Sequence, residues 1–433
     1  MDLLIRNGRV VDPASGTDGG LDVLILDGRI ADVRAGIRTE AARTIDASGL
    51  IVAPGFIDMH VHLREPGFEE KETIRTGSRA AARGGFTTVC CMPNTNPVND
   101  SLFVLESIRA EARKSAVVNV LPIAAVTRGL KGTELTDMAA LFRAGAVAFS
   151  DDGRPVGDAF IMRRALEASR SLGTLVIDHC EDKGLSADGT MHEGRYSRLC
   201  GLKGIPAAAE EVMVVRDIRL AEMTGARVHI AHLSVKGAVR AVEEAKKRGV
   251  QVTAEATPHH VLLTDALLER LDTNFKMNPP LRSAEDVEAL VEAVKNGVID
   301  AVATDHAPHT VLEKETAFAK APFGVVGLET AVPLLLDRLV HGDIISLRRF
   351  IELLSTNPAR LLGLTNKGRL TVGADADLTL LDLDVETVVD RDKFESKSRN
   401  SPFHGWKLKG AAVMTVVGGK VVYPFQAATG AAG

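Results

Sequence analysis

The sequence predicts an α/β fold, in which a (β/α)8 barrel carries a small composite β-sandwich domain formed by both chain termini. Short, turn-rich β segments occupy residues 1–54 and again residues 367–433. Residues 55–366 alternate short apolar runs with longer charged runs, which is the pattern of strand–helix units around a buried sheet. The length of 433 residues fits this arrangement, because barrels of this class commonly take about 250 residues or more.

The two terminal segments predict one β module. Asp27-Gly28 between two apolar runs is a strong signal for a hairpin, and Gly8 divides residues 3–11 into two predicted strands. Neither terminal segment is long enough to build a sizeable β core alone. Because chain termini often lie close together, we expect both segments to form a single sandwich.

Eight apolar runs predict the strands of the barrel, and helix-like segments lie between most of them. A doubly wound sheet is the competing architecture, but no glycine-rich phosphate fingerprint follows any run. The runs therefore favour a TIM barrel. The predicted strands are residues 56–62, 87–92, 117–123, 146–152, 174–179, 227–232, 250–256 and 299–305.

Composition excludes several classes of function. The chain has 52 basic and 57 acidic residues and only 4% aromatic residues, which argues against a nucleic-acid surface and against an anionic membrane surface. Four cysteines without a C-x-x-C pair predict a reducing compartment. The sequence shows no basic and apolar leader and no apolar run of about 20 residues, so we expect a cytoplasmic protein.

Metal-competent side chains stand at the ends of five predicted strands. In a barrel the carboxyl ends of the strands meet at one face, where active sites lie. Four histidines and two carboxylates gathered there would bind zinc or a similar divalent ion. A single histidine at a strand end is more often structural, so the prediction depends on the whole set. The candidate ligands are His60, His62, Asp152, His179, His232 and Asp305.

Strand alternation selects among neighbouring candidates. Successive side chains of a strand point to opposite faces, which places Asp152 in the lumen and turns Asp151 away. The same alternation places His232 in the lumen and His229 on the opposite side. It also turns His306 away from the face of Asp305.

Several motifs resemble a known family. The run GFIDMHVHLREPG at residues 55–67 resembles the first-strand signature of the cyclic amidohydrolases. Four further segments resemble the dihydroorotases in particular, and the resemblance covers essentially the whole chain. It implies reversible hydrolysis of the cyclic amide of (S)-dihydroorotate to N-carbamoyl-L-aspartate, a step of pyrimidine biosynthesis. The four segments are residues 92–95, 150–153, 304–309 and 399–406.

The resemblance also implies roles at the site. It assigns one zinc ion to His60, His62 and Asp305. It assigns a second to His179 and His232, with Asp152 as the bridge in place of the carbamylated lysine of dihydropyrimidinases and allantoinases. One or two zinc ions per subunit are therefore expected, and Asp305 is the expected catalytic proton carrier. The substrate contacts that the resemblance implies are His62, Arg64, Asn94, Asn278, His309, Phe323 and Gly324.

Two other functions stay open at this point: another cyclic amidase, such as an allantoinase or dihydropyrimidinase, and a non-catalytic homologue that scaffolds aspartate transcarbamoylase. The aspartate at position 152 argues against the first, and the intact ligand positions argue against the second. The family implies a homodimer, with association with aspartate transcarbamoylase left open. The polar loop at residues 309–324 is expected to close over the bound small-molecule substrate as a lid.

Overall fold

The structure is a computed structural model that describes residues 2–39 and 43–424. Residues 425–433 of the predicted terminal segment therefore lie outside the described part of the chain. The strands are β1 (Leu3–Asp12), β2 (Thr17–Leu26), β3 (Arg29–Arg34), β4 (Arg43–Asp46), β5 (Ile51–Pro54), β6 (Phe56–Val61), β7 (Phe86–Cys91), β8 (Asn119–Pro122), β9 (Val176–Asp178), β10 (Met191–His192), β11 (Gly204–Ile205), β12 (Val228–Ile230), β13 (Val252–Ala256), β14 (Ala301–Val302), β15 (Leu378–Val388), β16 (Lys407–Val417) and β17 (Lys420–Tyr423).

Helices cover the outside of the barrel. Helices α1, α2, α3, α4, α7, α8, α10 and α12 each follow one barrel strand in the chain, as the strand–helix pattern predicts. The helices are α1 (Ile74–Arg83), α2 (Leu102–Ser115), α3 (Met138–Arg143), α4 (Ala159–Leu172), α5 (Lys183–Ser186), α6 (Arg195–Cys200), α7 (Ala208–Thr224), α8 (Lys236–Lys247), α9 (Pro258–Leu262), α10 (Ala284–Asn296), α11 (Val311–Lys314), α12 (Ala331–Leu335), α13 (Leu347–Ile351) and α14 (Asn357–Leu361).

Strands from both ends of the chain form one sheet, in the order β17-β16-β15-β5-β1-β2-β3, with β4 paired to β1. The first half of β1 pairs in parallel with β4 and its second half with β5, so the sheet divides there. The sheet surrounds its own apolar core, to which Ile5, Val23, Leu380 and Val416 contribute. The prediction that both termini build one β module is confirmed.

Two glycine positions explain the local geometry of this sheet. The predicted hairpin is confirmed, since Asp27 and Gly28 form a two-residue turn between β2 and β3, and both have positive φ, 49° and 75°. The predicted break at Gly8 is wrong, because β1 runs through it with an irregular register. A Cβ on Gly8 would lie 2.5 Å from Cγ2 of Val52, so this glycine permits a close approach of β5.

The barrel predicted from the sequence is confirmed, although several of its strands are short. Strands β6-β7-β8 form one arc and β9-β12-β13-β14 form another. The predicted strand at residues 146–152 joins the arcs through Phe149, which pairs with Ala124 on one side and Val176 on the other. Val61 pairs with His306 and closes the ring.

The predicted strand at residues 299–305 pairs regularly only over Ala301–Val302. The physical reason lies in the neighbouring strand. The backbone N–H of Thr304 donates to the buried carboxylate of Asp58 at 3.2 Å, so a side chain replaces the ladder there. Asp305 then takes a left-handed backbone conformation, with φ of 46°, and turns towards the mouth of the barrel.

A buried aromatic cluster closes the end of the barrel next to the terminal sheet. The ring of Phe56 packs edge-to-face on Phe350 at 5.6 Å and on Phe86 at 6.3 Å. The opposite end, where the strands terminate, carries the polar residues of the predicted site. Within the described ranges, no helix is long and apolar enough to span a membrane.

Candidate metal and active site at the barrel mouth

The six candidate ligands come together at the carboxyl ends of the barrel strands. Oδ1 of Asp152 lies 3.4 Å from Nε2 of His60, 3.4 Å from Nε2 of His232 and 3.5 Å from Nδ1 of His179. Its other oxygen, Oδ2, lies 3.5 Å from Nε2 of His62. Asp152 is therefore at the centre of all four histidines. The neighbouring Asp151 turns away and accepts the backbone N–H of Thr127 at 3.0 Å.

The sixth candidate, Asp305, completes a second group of donor atoms. Its Oδ1 lies 3.1 Å from Nε2 of His62 and 3.6 Å from Nε2 of His60. Asp305 and both histidines are buried, and all three belong to one set of donor atoms that could hold a metal ion. His60 belongs to this set and also to a set with Asp152 and His232.

The donor atoms fit a divalent metal ion. Two ligands at about 2.0–2.1 Å from a tetrahedral zinc lie about 3.3–3.4 Å apart, close to the separations around Asp152. Nε2 of His60 and Oδ1 of Asp152 are buried and have no hydrogen-bond partner among the described residues. Such buried polar atoms are costly without a partner, and a cation shared by imidazoles and carboxylates supplies one.

The charges at this centre show how strongly it favours a cation. Burial would raise the pKa of Asp152, but His60, His179 and His232 hold it well below its usual range. Burial would lower the pKa of His179, but Asp152 and Glu181 raise it to about 9. Protons and metal ions therefore compete for the same nitrogen atoms.

In three of the four histidines, one ring nitrogen faces the candidate metal ligands and the other contacts a residue outside that set of six. Nδ1 of His62 lies 2.9 Å from Oδ1 of Asn94, and Nε2 of His179 lies 3.0 Å from Oε2 of Glu181. His60 is held in the same way by Glu255. Sequence reasoning missed Glu181 and Glu255. The signal was present for both: a charged residue lies inside a predicted apolar strand at 255, and another lies two residues beyond a candidate ligand at 181.

A cavity of about 440 Å³ opens directly above these residues. Its size suits a small molecule, since ligand pockets commonly start at about 300 Å³. His60 does not line the cavity, whereas the other five candidate ligands do. All seven predicted substrate contacts also line it, namely His62, Arg64, Asn94, Asn278, His309, Phe323 and Gly324.

Apart from Lys183, which forms an ion pair with Glu181, Arg64 is the cationic side chain that lines the cavity outside the metal-competent set. Its backbone is left-handed, with φ of 64°, and its Nε donates to the carbonyl of Pro308 at 3.2 Å. A non-glycine residue in this region is strained, and such strain persists where the surrounding structure holds it. The guanidinium offers a planar fork that suits a carboxylate.

The wall of the cavity beside Arg64, where His309 lies 3.5 Å from the guanidinium, is held by a network of side chains. Nε2–H of His309 donates to the carbonyl of Phe323 at 2.8 Å. The side-chain amide of Asn400 donates to the carbonyls of Ala307 and Gly324, both at 3.0 Å. Asn400 belongs to the segment at residues 399–406, so this C-terminal motif braces the substrate cavity from outside.

Two buried lysines anchor the loop at residues 309–324. Nζ of Lys314 donates to the carbonyls of Thr273, Lys276 and Pro322 at 2.9–3.2 Å. Nζ of Lys276 donates to the carbonyl of Phe318 at 2.7 Å and lies 4.6 Å from the ring centre of Phe323. In this structure the loop lies in place over the cavity.

The fold and this site define the class of protein, a hydrolase of the amidohydrolase class. Residues 203–423 match the Amidohydrolase family, and residues 49–238 match the Dihydro-orotase-like family. Among solved structures, L-hydantoinase (dihydropyrimidinase) from Arthrobacter aurescens is 31% identical with a TM-score of 0.88, covering 97% of this chain and 96% of that chain. A dihydropyrimidinase from Brevibacillus agri is 26% identical with a TM-score of 0.83, over 98% and 95% of the two chains.

Curated relatives narrow the class to one family. A dihydroorotase from Pelotomaculum thermopropionicum is 57% identical over 98% of both chains. A dihydroorotase from Solibacter usitatus is 53% identical over 98% of this chain and 99% of its own. The chain belongs to the dihydroorotase family.

Proposed function

We propose that the protein is a zinc-dependent dihydroorotase that interconverts (S)-dihydroorotate and N-carbamoyl-L-aspartate in pyrimidine biosynthesis. The observation that carries this proposal is one cavity lined by the guanidinium of Arg64 and by five of the six metal-competent side chains. The sixth, His60, lies 3.4 Å from Asp152 and 3.6 Å from Asp305. Family membership fits the same reaction. Nearly full-length relatives at more than 50% identity are dihydroorotases, whereas hydantoinases resemble the chain at 26–31%. The scaffold alternative gains no support from a site whose donors are all present.

Zinc fits the donors best, because imidazole and carboxylate together are typical zinc ligands. His60, His62 and Asp305 would hold one ion, and His179 and His232 would hold a second, with Asp152 between the two. When bound, zinc lowers the pKa of water to about 7 and polarises an amide carbonyl. The residues of this chain supply the remaining chemistry.

The residues on the rim of the cavity would orient the substrate. Dihydroorotate carries one carboxylate beside its ring, and Arg64 with Asn94 would bind it. Asn278 and His309 would contact the ring and its substituents, as would the backbone of Phe323 and Gly324. His62 lines the cavity and also lies 3.1 Å from Asp305, so it would contact both the metal and the substrate.

Asp305 would carry the proton. In the hydrolytic direction its carboxylate accepts a proton from the attacking water while the water oxygen bonds to the amide carbonyl carbon. The carbon–nitrogen bond of the ring then breaks, and Asp305 returns that proton to the departing nitrogen. The products are a ureido NH2 group and a carboxylic acid, which releases its remaining proton to solvent and becomes a carboxylate; together they are N-carbamoyl-L-aspartate. General acid–base transfer of this kind is worth about 10²–10⁴ in rate.

The quaternary arrangement and the location are part of the same proposal. The family resemblance implies a cytoplasmic homodimer, with association with an aspartate transcarbamoylase as an additional proposal. Light scattering on the purified chain tests the dimer, and co-purification of both enzymes tests the association.

One experiment separates the candidate functions. Purified protein is analysed for bound metal and assayed with dihydroorotate, dihydrouracil, hydantoin and allantoin. We expect zinc in the protein and turnover of dihydroorotate far above that of the uncharged or larger rings. Faster turnover of another ring would identify a different cyclic amidase. A folded, zinc-loaded protein without any turnover would identify the scaffold.

A further inference from the structure

Glu255 is a buried carboxylate that touches the metal-competent centre from behind. It lies on β13 and is fully inaccessible to solvent. Its Oε1 lies 2.7 Å from Nδ1 of His60, and its Oε2 lies 3.1 Å from Nε2 of His229. An ionised carboxylate at such depth requires hydrogen-bond donors, and these two histidines provide them.

The contact with Oε1 determines which nitrogen of His60 carries the proton. A carboxylate only accepts, so Nδ1 of His60 must be the donor. In the neutral imidazole this leaves the lone pair on Nε2. Nε2 is the atom that lies 3.4 Å from Asp152 and 3.6 Å from Asp305. The Glu255 contact therefore presents His60 in the tautomer that a metal ion needs.

The same carboxylate also reaches the end of β12. The backbone N–H of His232 donates to Oε1 of Glu255 at 3.4 Å. The next N–H, of Leu233, donates to the main-chain carbonyl of Glu255 at 2.9 Å, which is the regular pairing between the two strands. His232 has a left-handed backbone, with φ of 31°, and such strain persists only where the surroundings hold it. The carboxylate of Glu255 thus hydrogen-bonds both to the backbone of His232, which sets the direction of that side chain, and to the ring of His60.

His229 keeps the carboxylate in this orientation. Its ring is buried between Glu255 and Thr253, whose hydroxyl lies 2.8 Å from Nδ1. His229 does not line the cavity. Its contacts with Glu255 and Thr253 explain why a further buried histidine, besides the four candidate ligands, lies beside the site without lining the cavity.

We propose that Glu255 is a positioning residue for the metal centre, which orients His60 and His232 together and fixes the tautomer of His60. This inference rests on the proposed metal dependence of the enzyme. Carboxylates that hold ligating histidines in other metal sites typically change metal affinity by about 10–100-fold when they are removed.

The matched control is Glu72, another buried carboxylate that holds a buried histidine. Its Oε2 lies 3.2 Å from Nε2 of His306, whose ring faces away from the candidate ligands. A defect caused by losing any buried carboxylate–histidine pair should appear in Glu72→Gln as well as in Glu255→Gln. A defect specific to the metal centre should appear only in Glu255→Gln.

The experiment measures zinc affinity rather than activity alone. Metal-depleted wild type, Glu255→Gln and Glu72→Gln are titrated with Zn²⁺ against a chromophoric chelator, and urea unfolding of the metal-free proteins reports their stability. We expect the Kd for Zn²⁺ to rise about 10–100-fold in Glu255→Gln and to stay unchanged in Glu72→Gln. Excess Zn²⁺ should restore part of the turnover of Glu255→Gln.

Wild-type affinity for Zn²⁺ in a folded Glu255→Gln protein would overturn the proposal. If that variant does not fold, Glu255→Asp, which withdraws the carboxylate by one methylene, is titrated in its place, and an unchanged Kd would have the same meaning. Failure of the wild type to bind Zn²⁺ would instead contradict the proposed function. The two failures are therefore distinguishable.

Discussion

The carboxylate of Asp305 lies 3.1 Å from Nε2 of His62, and this contact joins the last strand of the barrel to the first. Asp305 also lines the cavity, so the same side chain faces both the metal-competent histidines and the substrate space. Burial would raise its pKa, but His62, His60 and His232 hold the pKa well below its usual range. The group is therefore ionised at neutral pH, which is the form in which a carboxylate accepts a proton.

The first prediction follows from this position. Asp305→Asn should lower kcat by about 10²–10⁴, because an amide cannot carry the proton between water and the leaving nitrogen. The assay is dihydroorotate turnover divided by the zinc bound to each preparation, so that loss of metal is counted separately. Turnover per bound zinc close to that of the wild type would contradict the assigned role.

The second prediction concerns Arg64. Arg64→Met should lower kcat/KM for dihydroorotate about 10–100-fold, because a hydrogen-bonded charge on the substrate loses its partner. Zinc content should not change. Arg128→Met is the control, since Arg128 forms only an exposed pair with Glu134 at 3.0 Å, and its kinetics should match the wild type. Equal kinetics in both variants would remove Arg64 from the substrate site.

The third prediction compares two adjacent carboxylates. Asp152→Asn should weaken Zn²⁺ binding strongly, because Asp152 lies between all four histidines. Asp151→Asn should leave zinc affinity intact, since Asp151 contacts Thr127 instead. Chelator competition on both variants is the measurement. Equal losses of affinity would show that the two carboxylates share the site.

Much of this arrangement could be predicted because it depends on simple periodicity. Alternation along a strand places Asp152 and not Asp151 in the lumen, and the common direction of barrel strands brings their ends to one face. The structure shows this convergence: five of the candidates form two overlapping sets of donor atoms, and the sixth, His179, lies 3.5 Å from Asp152. The hairpin at Asp27-Gly28 could also be predicted, because a two-residue turn needs positive φ at both central positions and Asp-Gly adopts it readily.

The remainder depends on contacts between distant segments. Gly8 looked like a turn, whereas it allows Val52 of a neighbouring strand to approach. The length of the predicted strand at residues 299–305 could not be predicted either, because the Asp58 side chain replaces the strand pairing at Thr304. Glu255 contacts His60 only once the barrel has closed, and no local sequence pattern predicts a contact between a residue of β6 and a residue of β13.

The fourth prediction concerns the joint between the terminal sheet and the barrel. Asp377 is buried and accepts hydrogen bonds from Asn119 at 2.9 Å, Lys367 at 2.6 Å and the backbone of Gly418 at 2.8 Å. Asp377→Ala should lower the free energy of unfolding by about 1–3 kcal/mol, because the backbone N–H of Gly418 loses its acceptor and Lys367 keeps only its pair with Asp375. Urea unfolding measures the change.

The control for Asp377 is its neighbour Asp375, which forms partly exposed pairs with Arg29 and Lys367. Asp375→Ala should cost at most about 1 kcal/mol, as surface ion pairs do. Similar losses of unfolding free energy in the two variants would show that Asp377 stabilises the contact between the terminal sheet and the barrel no more than a surface ion pair does.

The last prediction concerns the anchored loop at residues 309–324. Burial, together with the charge of Lys276, lowers the pKa of Lys314 to about 7, against the opposing charges of Asp272 and Glu313. When the loop opens, the exposed lysine returns to its ordinary pKa of about 10.4, so the open state binds more protons above pH 7. Opening should therefore become less favourable as pH rises from 7, by at most about 1.4 kcal/mol per pH unit. Hydrogen exchange of residues 315–322, corrected for intrinsic rates, measures this opening in wild type and in Lys314→Met. The variant should lose most of the pH dependence, and an identical slope in both proteins would show that Lys314 does not control the loop.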